Sequence, residues 1–255
     1  MLNSASAPAN RVLAALPLSD LQLLDPYLEL VEFRQGAHIH RNGHALAHVV
    51  FPHSCLISIN AMMENGSEIE SAMVGSEGIV GAYGGYGIDH AVTDSKVKIA
   101  GTATQIPVAD FRQALVQSET LAAMVARCEA LLTAQMHQSA ACNAVHDVEA
   151  RMCRWLLEID DRSSGSSFPM TQDMLAKMLG VRRTTVTLVA KRLQQVGALR
   201  WRRGRVYVLQ RDLIDDRSCD CYERVRLCAD RLAGKTPSAT PLAEREPRAP
   251  IAAVY

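Results

Sequence analysis

The stretch MTQDMLAKMLGVRRTTVTLVAKR, residues 170–192, has the pattern of two short helices joined by a glycine turn. Thr171 can cap the first helix, and Gly180 follows its last apolar residue, where a positive φ makes a sharp turn. The second helix begins near Arg182, and its inward-facing residues are Val186, Val189, Ala190 and Leu193. This pattern predicts a helix-turn-helix whose second helix keeps one face free for the major groove of DNA.

The residues that follow predict a two-stranded wing. Leu199–Leu209 reads LRWRRGRVYVL and turns at Arg203-Gly204, so its arginines can lie over phosphate groups. On the second helix, Arg183 can donate two hydrogen bonds to guanine, and Lys191 lies further along, where phosphate contact is expected. The residues expected to contact DNA are Thr171, Gln172, Arg182, Arg183, Thr184, Thr185, Thr187, Lys191, Arg202, Arg203 and Arg205.

The charge is strongly polarised along a chain whose formal net charge is zero. Residues 1–147 hold 14 acidic and 7 basic side chains, whereas residues 148–233 hold 11 acidic and 17 basic ones. Within residues 170–211 there are ten Lys and Arg side chains and a single acid, Asp173. A basic segment of this kind favours a polyanionic partner. The alternatives are a solvated basic face and a winged helix used only for protein contacts.

The rest of the chain predicts an α+β organisation. Short apolar runs alternate with glycine turns from residue 31, with the best hairpin signal at Asn65-Gly66, as in a small antiparallel roll or barrel. The predicted segments are a tail and helical lead-in (1–30), a β-roll (31–109), a long helix (110–146), the DNA-binding domain (147–216), a last helix (217–233) and a disordered tail (234–255).

The apolar spacing along the long helix predicts a dimer seam. Its apolar residues repeat at alternating spacings of four and three, as in a helix that packs both on its own domain and on a symmetry mate. The residues of this seam are Leu121, Val125, Cys128 and Leu132. A single amphipathic core helix is the alternative interpretation.

Three motifs resemble those of the Crp/Fnr family of bacterial transcription regulators. They are the hinge Asp147-Val148-x-x-Arg151, the run Thr171…Leu179-Gly180-Val181-Arg182-Arg183-x-Thr185-Val186, and the turn Gly75-Ser-Glu-Gly78-Ile-Val-Gly81. The resemblance implies a roll like a cyclic-nucleotide-binding domain (a jelly roll), a dimerisation helix and a winged helix-turn-helix. It also implies a homodimer that reads a two-fold symmetric operator in double-stranded DNA, with RNA polymerase as a further partner. Because the N-terminus has no convincing cleavage site and no stretch can span a membrane, we expect the protein in the cytoplasm.

The chain departs from the cyclic-nucleotide-binding members of that family at the expected effector pocket, which comprises Gly75, Gly78, Gly81, Ala82 and Ala91. Those members hold the ligand phosphate with a Glu and an Arg, whose places fall near Ala82 and Ala91. No arginine occurs from position 42 to 111. A buried phosphate without a bidentate partner is poorly stabilised, so no cyclic nucleotide is expected to bind.

The usual DNA contacts also change, because Arg182, Thr184 and Leu188 replace the family's Ser, Glu and Arg.

Histidines and cysteines leave other functions open. His38, His40, His44, His48 and His53 are interpreted as exposed and loop histidines rather than as metal or haem ligands. Cys142 and Cys153 are expected to be packing residues. Cys219, Cys221 and Cys228 are either incidental helix cysteines or redox-sensitive thiols beside arginines.

No metal, cofactor or catalytic activity is expected, and no stretch is apolar enough to span the membrane. The competing hypotheses are a ligand-binding or protein-interaction module whose winged helix does not bind DNA, and a cupin-like metal enzyme fused to a DNA-binding domain.

Overall fold

The computed structural model describes residues 9–163 and 165–232, and the predicted tail 234–255 lies outside this range. The chain divides into two compact units, an N-terminal unit (Met1–Leu132) and a C-terminal unit (Thr133–Tyr255). No helix among the described residues is long and apolar enough to cross a membrane.

The N-terminal unit is built on two antiparallel sheets. Two short helices, α1 (Arg11–Ala14) and α2 (Leu18–Leu24), precede the strands β1 (Glu29–Phe33), β2 (His38–His40), β3 (His48–Pro52), β4 (Leu56–Met62), β5 (Glu68–Val74), β6 (Asp94–Ile99) and β7 (Gly101–Pro107). One sheet has the order β1-β7-β3 and the other the order β2-β6-β4-β5. The hairpin predicted at Asn65-Gly66 joins β4 to β5, and Gly66 has a φ of 77°.

Helices close the core of this roll. The helix α3 (Val108–Gln117) places Phe111 edge-on against Phe51, with ring centroids 6.1 Å apart. Ser118 is extended and its hydroxyl accepts a hydrogen bond from the Leu121 amide, so a new helix, α4 (Glu119–Val145), begins there. The sequence predicted one continuous helical segment across this position. The break occurs because Ser118 caps the second helix.

The C-terminal unit takes up residues 133–145 of α4 and then the helices and strands of the predicted DNA-binding domain. These are α5 (Val148–Arg162), β8 (Ser167–Pro169), α6 (Gln172–Leu179), α7 (Arg183–Gln195), β9 (Leu199–Arg202), β10 (Arg205–Val208), α8 (Arg211–Asp215) and α9 (Cys221–Leu232). The strands form a three-stranded sheet in the order β8-β10-β9. The predicted fold class, an antiparallel roll followed by a long helix and a winged helix-turn-helix, is confirmed.

Some predicted element bounds were wrong. The helical lead-in is two short helices, separated where Pro17 precedes α2, and residues 29–33 already form β1. Ser167, predicted to lie in a polar loop, instead begins β8, which pairs with β10. A three-residue strand has too little pattern of its own to be predicted, because the pairing that defines it is with residues far along the chain.

Candidate nucleic-acid interface

The two helices of the predicted motif are joined as the sequence indicated. The Thr171 hydroxyl accepts a hydrogen bond from the Met174 amide at 3.1 Å and thereby caps α6. Gly180 ends α6 in the left-handed conformation, with φ 64° and ψ 35°. Because this conformation costs residues with a Cβ roughly 1–2 kcal/mol, glycine suits the turn.

Helix α7 separates an inner from an outer face. Val186, Val189, Ala190 and Leu193 are buried, as predicted from the apolar spacing. Arg182, Arg183, Thr184 and Lys191 are exposed, and Leu188 between them keeps 60% of its surface accessible. The outer face is therefore basic and polar, with one apolar side chain near its middle.

Two contacts connect the first turns of α7, the start of α6 and the tip of the wing. The Thr187 hydroxyl donates a hydrogen bond to Gln172 Oε1 at 2.7 Å. The Met170 amide donates to the Gly204 carbonyl at 2.8 Å, which places the wing turn beside the N-terminus of α6. Of the predicted contact residues, Gln172 and Thr187 thus bond to each other, and they are half-buried together with Thr185.

The wing is the tight hairpin that the sequence predicted. Arg203 and Gly204 both have positive φ, 50° and 72°, as in a two-residue type I′ turn between β9 and β10. Arg202 and Arg205 face each other in the register beside this turn, and all three arginines are exposed. Trp201 holds the wing against the residue before Thr171, since its indole Nε1 donates to the Met170 carbonyl at 2.7 Å.

Ion pairing leaves most of the positive charge of this surface unneutralised. Lys177 pairs with Asp173, Arg192 with Glu149, and Arg211 with Asp160 and Asp161. No carboxylate among the described residues forms an ion pair with the remaining cations of residues 170–211, which are Arg182, Arg183, Lys191, Arg200, Arg202, Arg203 and Arg205. The unpaired cations therefore lie on α7 and on the wing, where the predicted contacts are.

The hinge motif anchors this surface to α5. Asp147 caps α5 by accepting a hydrogen bond from the Ala150 amide at 2.9 Å. The Arg151 guanidinium, which is almost fully buried, donates to the Leu179 carbonyl at the end of α6. Arg151 thus satisfies a carbonyl that the helix end leaves free, immediately before the turn at Gly180.

The residues predicted to form an effector pocket lie around a turn and a short helical segment in the N-terminal unit. Gly75 and Gly78 form the turn after β5, and Gly81 has a φ of 81°. A Cβ on Gly81 would lie 2.6 Å from the His40 ring, so this glycine makes room for a side chain of the roll itself. Ala82 and Ala91, at the places of the family's phosphate-binding pair, are buried in the apolar core.

The five histidines of residues 38–53 do not gather around a common point in the described part of the chain. His40 Nε2 bonds the His48 carbonyl at 2.9 Å, and His53 Nε2 bonds the Thr104 hydroxyl at 2.8 Å. Burial lowers the pKa of both His40 and His53.

Cys153 is a fully buried packing residue, as predicted, and burial raises the pKa of its thiol to about 12.

The predicted dimer seam faces partly into its own unit. Leu121 and Val125 are fully buried in the core beside Phe111, and Cys128 packs against the same cluster. Leu132 remains half-buried, together with the adjacent Leu131 and with Met136 one turn later on α4. The second half of the seam is therefore incompletely covered within one chain.

Comparison with known proteins identifies the domain that carries the basic surface. Residues 150–216 match the family model of the Crp-like helix-turn-helix domain. The segment is a Crp-like helix-turn-helix domain. A search of curated proteins by sequence found no match.

Solved structures extend the likeness to most of the chain. A protein from Eubacterium rectale, described as a transcriptional regulator of the crp/fnr family, is 15% identical, has a TM-score of 0.64, and aligns over 81% of this chain and 97% of its own. FixK2 from Bradyrhizobium japonicum is 12% identical, with a TM-score of 0.64 over 75% of this chain and 98% of its own. The c-di-GMP-responsive global regulator CLP from Xanthomonas campestris is 18% identical, with a TM-score of 0.61 over 75% and 99%.

At these identities the likeness establishes the fold. The chain has the fold of Crp/Fnr transcription regulators, and the resemblance inferred from the three sequence motifs is confirmed at this level. Together, the domain and the fold support a regulator of the Crp/Fnr type over both the interaction module and the cupin-like enzyme.

Proposed function

We propose that the protein is a homodimeric, sequence-specific DNA-binding transcription regulator without catalytic activity, acting in the cytoplasm. The observation that carries this proposal is the set of unpaired cations on α7 and the wing of a Crp-like domain. Cations without carboxylate partners attract DNA phosphates and release the bound counterions, which drives association. The fixed helix-turn-helix geometry then directs the start of α7 into the major groove.

Individual side chains have separate roles in this proposal. Arg183, exposed on the first turn of α7, forms the bidentate contact to a guanine edge. Leu188, exposed in the middle of the same face, packs on a thymine methyl group. Lys191 and the wing residues Arg202, Arg203 and Arg205 contact phosphates, which adds affinity without sequence information.

The half-buried end of the seam on α4 supports the dimer. Leu131, Leu132 and Met136 keep apolar surface accessible along one helix, and a second copy of the chain would cover it. Two copies related by a two-fold axis would read half-sites one helical turn apart. Residues 31–109 then form the sensor domain, 110–146 the dimerisation helix and 147–216 the DNA-binding domain, with RNA polymerase as a further partner.

The sensor domain does not bind cyclic nucleotides in this proposal. The phosphate places near Ala82 and Ala91 are apolar and buried, and the segment from 42 to 111 contains no arginine. A phosphate brought there would lose its hydration without gaining a charged hydrogen-bond partner. The controlling signal is therefore of another kind.

The test is DNA binding by fluorescence anisotropy, on an operator selected in vitro from a random DNA library with the native protein. Arg183→Ala should weaken binding about 5- to 150-fold, as expected for a lost bidentate base contact, and should relax specificity at one position. Lys191→Ala should weaken binding to all sequences and reduce the salt slope by about one unit. Arg34→Ala, an exposed arginine of the N-terminal unit with the same charge change, is the control and should bind normally.

Two results would overturn the proposal. One is a selection that yields no sequence bound above random DNA. The other is equal affinity of Arg183→Ala and the native protein over the whole range of salt concentrations. Sedimentation equilibrium on the same samples tests the dimer separately, and a monomer bound to a single half-site would refute that part alone.

A further inference from the structure

A group of four potential metal ligands lies in the C-terminal unit, away from the basic surface of α7. Cys142 is on the last turns of α4, and His146 follows one turn later. Cys219 and Cys221 stand at the start of α9, more than 70 residues further along the chain. The ligand atoms of all four lie within 4.8 Å of one another. No other such group of three or more occurs among residues 9–163 and 165–232.

Two distances between the ligand atoms match the edges of a tetrahedral zinc site. Cys142 Sγ lies 3.5 Å from Cys219 Sγ, and Cys221 Sγ lies 3.4 Å from His146 Nδ1. With zinc–sulfur bonds of about 2.3 Å and zinc–nitrogen bonds of about 2.0 Å, tetrahedral ligands are separated by about 3.5–3.8 Å. A disulfide would instead need the two sulfurs at about 2.0 Å, and all three cysteines are free thiols.

The surroundings are those that a metal site requires. His146 presents Nδ1 to the cluster, while its Nε2 lies 3.7 Å from the Asp220 carboxylate, an arrangement that orients a ligating imidazole. The Gln138 amide donates a hydrogen bond to Cys221 Sγ at 3.0 Å. Arg151 and Arg154 interact electrostatically with Cys142. Three thiolates bound to a divalent ion carry a net negative charge, which these two arginines offset.

Ordinary packing does not account for this arrangement. Cys153, on the neighbouring helix α5, is equally buried. In the described part of the chain, however, no side chain that could coordinate a metal is hydrogen-bonded to the Cys153 thiol. At the cluster, by contrast, three buried thiols and one half-buried imidazole converge from two distant segments. Three cysteines and one histidine form one of the closed ligand sets of structural zinc sites.

We propose that Cys142, His146, Cys219 and Cys221 bind one Zn²⁺ ion in a tetrahedral Cys₃His site. The ion joins the start of α9 to the end of α4, immediately before the cap of α5 at Asp147. Because no position is left open for water or substrate, the site is structural and contributes to the stability of the C-terminal unit. Metal binding releases the protons of those thiols that are protonated in the free protein.

The experiment uses the full chain, purified without an affinity tag under reducing conditions. The metal content is measured by mass spectrometry, and the metal-free protein is titrated with Zn²⁺ and with Co²⁺, whose visible absorption reports tetrahedral thiolate ligation. We expect one Zn²⁺ per chain, and a melting temperature that rises when Zn²⁺ is added. Cys221→Ser should lose the stoichiometric ion, whereas Cys228→Ser, a cysteine on the same helix outside the cluster, should bind as the native chain does.

A second variant, at a residue that contacts a ligand without being one, keeps the test decisive if Cys221→Ser does not fold. Asp220→Asn removes the carboxylate partner of His146 and should weaken Zn²⁺ binding about 10- to 100-fold in a folded protein. The proposal is overturned if the native chain binds neither ion stoichiometrically, if Cys221→Ser binds equally well, or if Cys142 and Cys219 form a disulfide in the freshly purified protein. Stoichiometric iron with sulfide in place of Zn²⁺ would also overturn it.

Discussion

Replacing Glu158 by glutamine should strongly destabilise the C-terminal unit. Glu158 and Arg154 form an ion pair within α5, with Glu158 Oε1 3.2 Å from Arg154 Nη1. Only 3% of Glu158 and 1% of Arg154 remain exposed. The guanidinium also lies 4.4 Å from the centroid of the Trp155 ring, and both of its terminal nitrogens are 3.3 Å from the Ser139 hydroxyl. The variant therefore leaves a buried positive charge without its counterion.

The magnitude follows from the separation of the charges and from their burial. Two unit charges 3.2 Å apart attract each other by about 5 kcal/mol at an effective dielectric constant of about 20. Glutamine and Ser139 can still accept hydrogen bonds from Arg154, so part of this attraction is retained. Removal of one partner of a buried pair costs about 3–5 kcal/mol, and we expect a loss of unfolding free energy in that range.

Urea denaturation followed by tryptophan fluorescence measures this loss. The only two tryptophans, Trp155 and Trp201, lie in the C-terminal unit, so their emission reports its unfolding. Asp173→Asn is the matched control, because Asp173 and Lys177 form an exposed pair with the same i,i+4 spacing. Its loss should stay below about 0.5 kcal/mol.

The double variant Arg154→Met with Glu158→Leu tests the cause. It removes both charges from the interior, and should lose less stability than Glu158→Gln alone. A loss below about 1 kcal/mol for Glu158→Gln, or a double variant less stable than the single one, would refute the argument from buried charge.

Three further predictions concern the helix turn, the roll and the effector pocket. Gly180→Ala should cost about 1–2 kcal/mol of unfolding free energy by tryptophan fluorescence, and Gly180→Asn less, because asparagine tolerates positive φ better. Burial lowers the pKa of His40 below 6.5, so stability should be lost as the pH falls below about 6.5, when the unfolded chain takes up a proton first. Thermal unfolding by circular dichroism should show a weaker pH dependence for His40→Gln, and an unchanged slope would contradict this assignment. Cyclic AMP should leave the melting temperature unchanged, and a dose-dependent rise would refute the proposal for Ala82 and Ala91.

Local patterns were sufficient for most of the DNA-binding domain. Thr171 and Gly180 mark the two ends of α6, and the apolar spacing of α7 gave its buried face. The turn at Arg203-Gly204 could be predicted because few residue pairs suit a two-residue hairpin. In each case the residues that determine the local conformation lie within a few positions of one another. The local conformational preference therefore agrees with the tertiary packing.

Pairing between distant segments could not be predicted in the same way. The strand β8 exists because Ser167–Pro169 pairs with β10, and the hydrogen bond between Thr187 and Gln172 removes two predicted contact residues from full exposure. The ion pair of Arg192 with Glu149 likewise depends on the packing of α7 against α5.

The sequence by itself therefore determined the helix-turn-helix, the wing and the polarised charge, because these features depend on neighbouring residues and on composition. Only the tertiary structure decided which of the ten cations stay unpaired. Only the tertiary structure, too, brought Cys142 and His146 to Cys219 and Cys221. In the sequence, Cys142 alone, or Cys219 with Cys221, was compatible with cysteines that only pack in the core. A ligand set assembled from segments more than 70 residues apart becomes visible only when the helices that carry them are packed together.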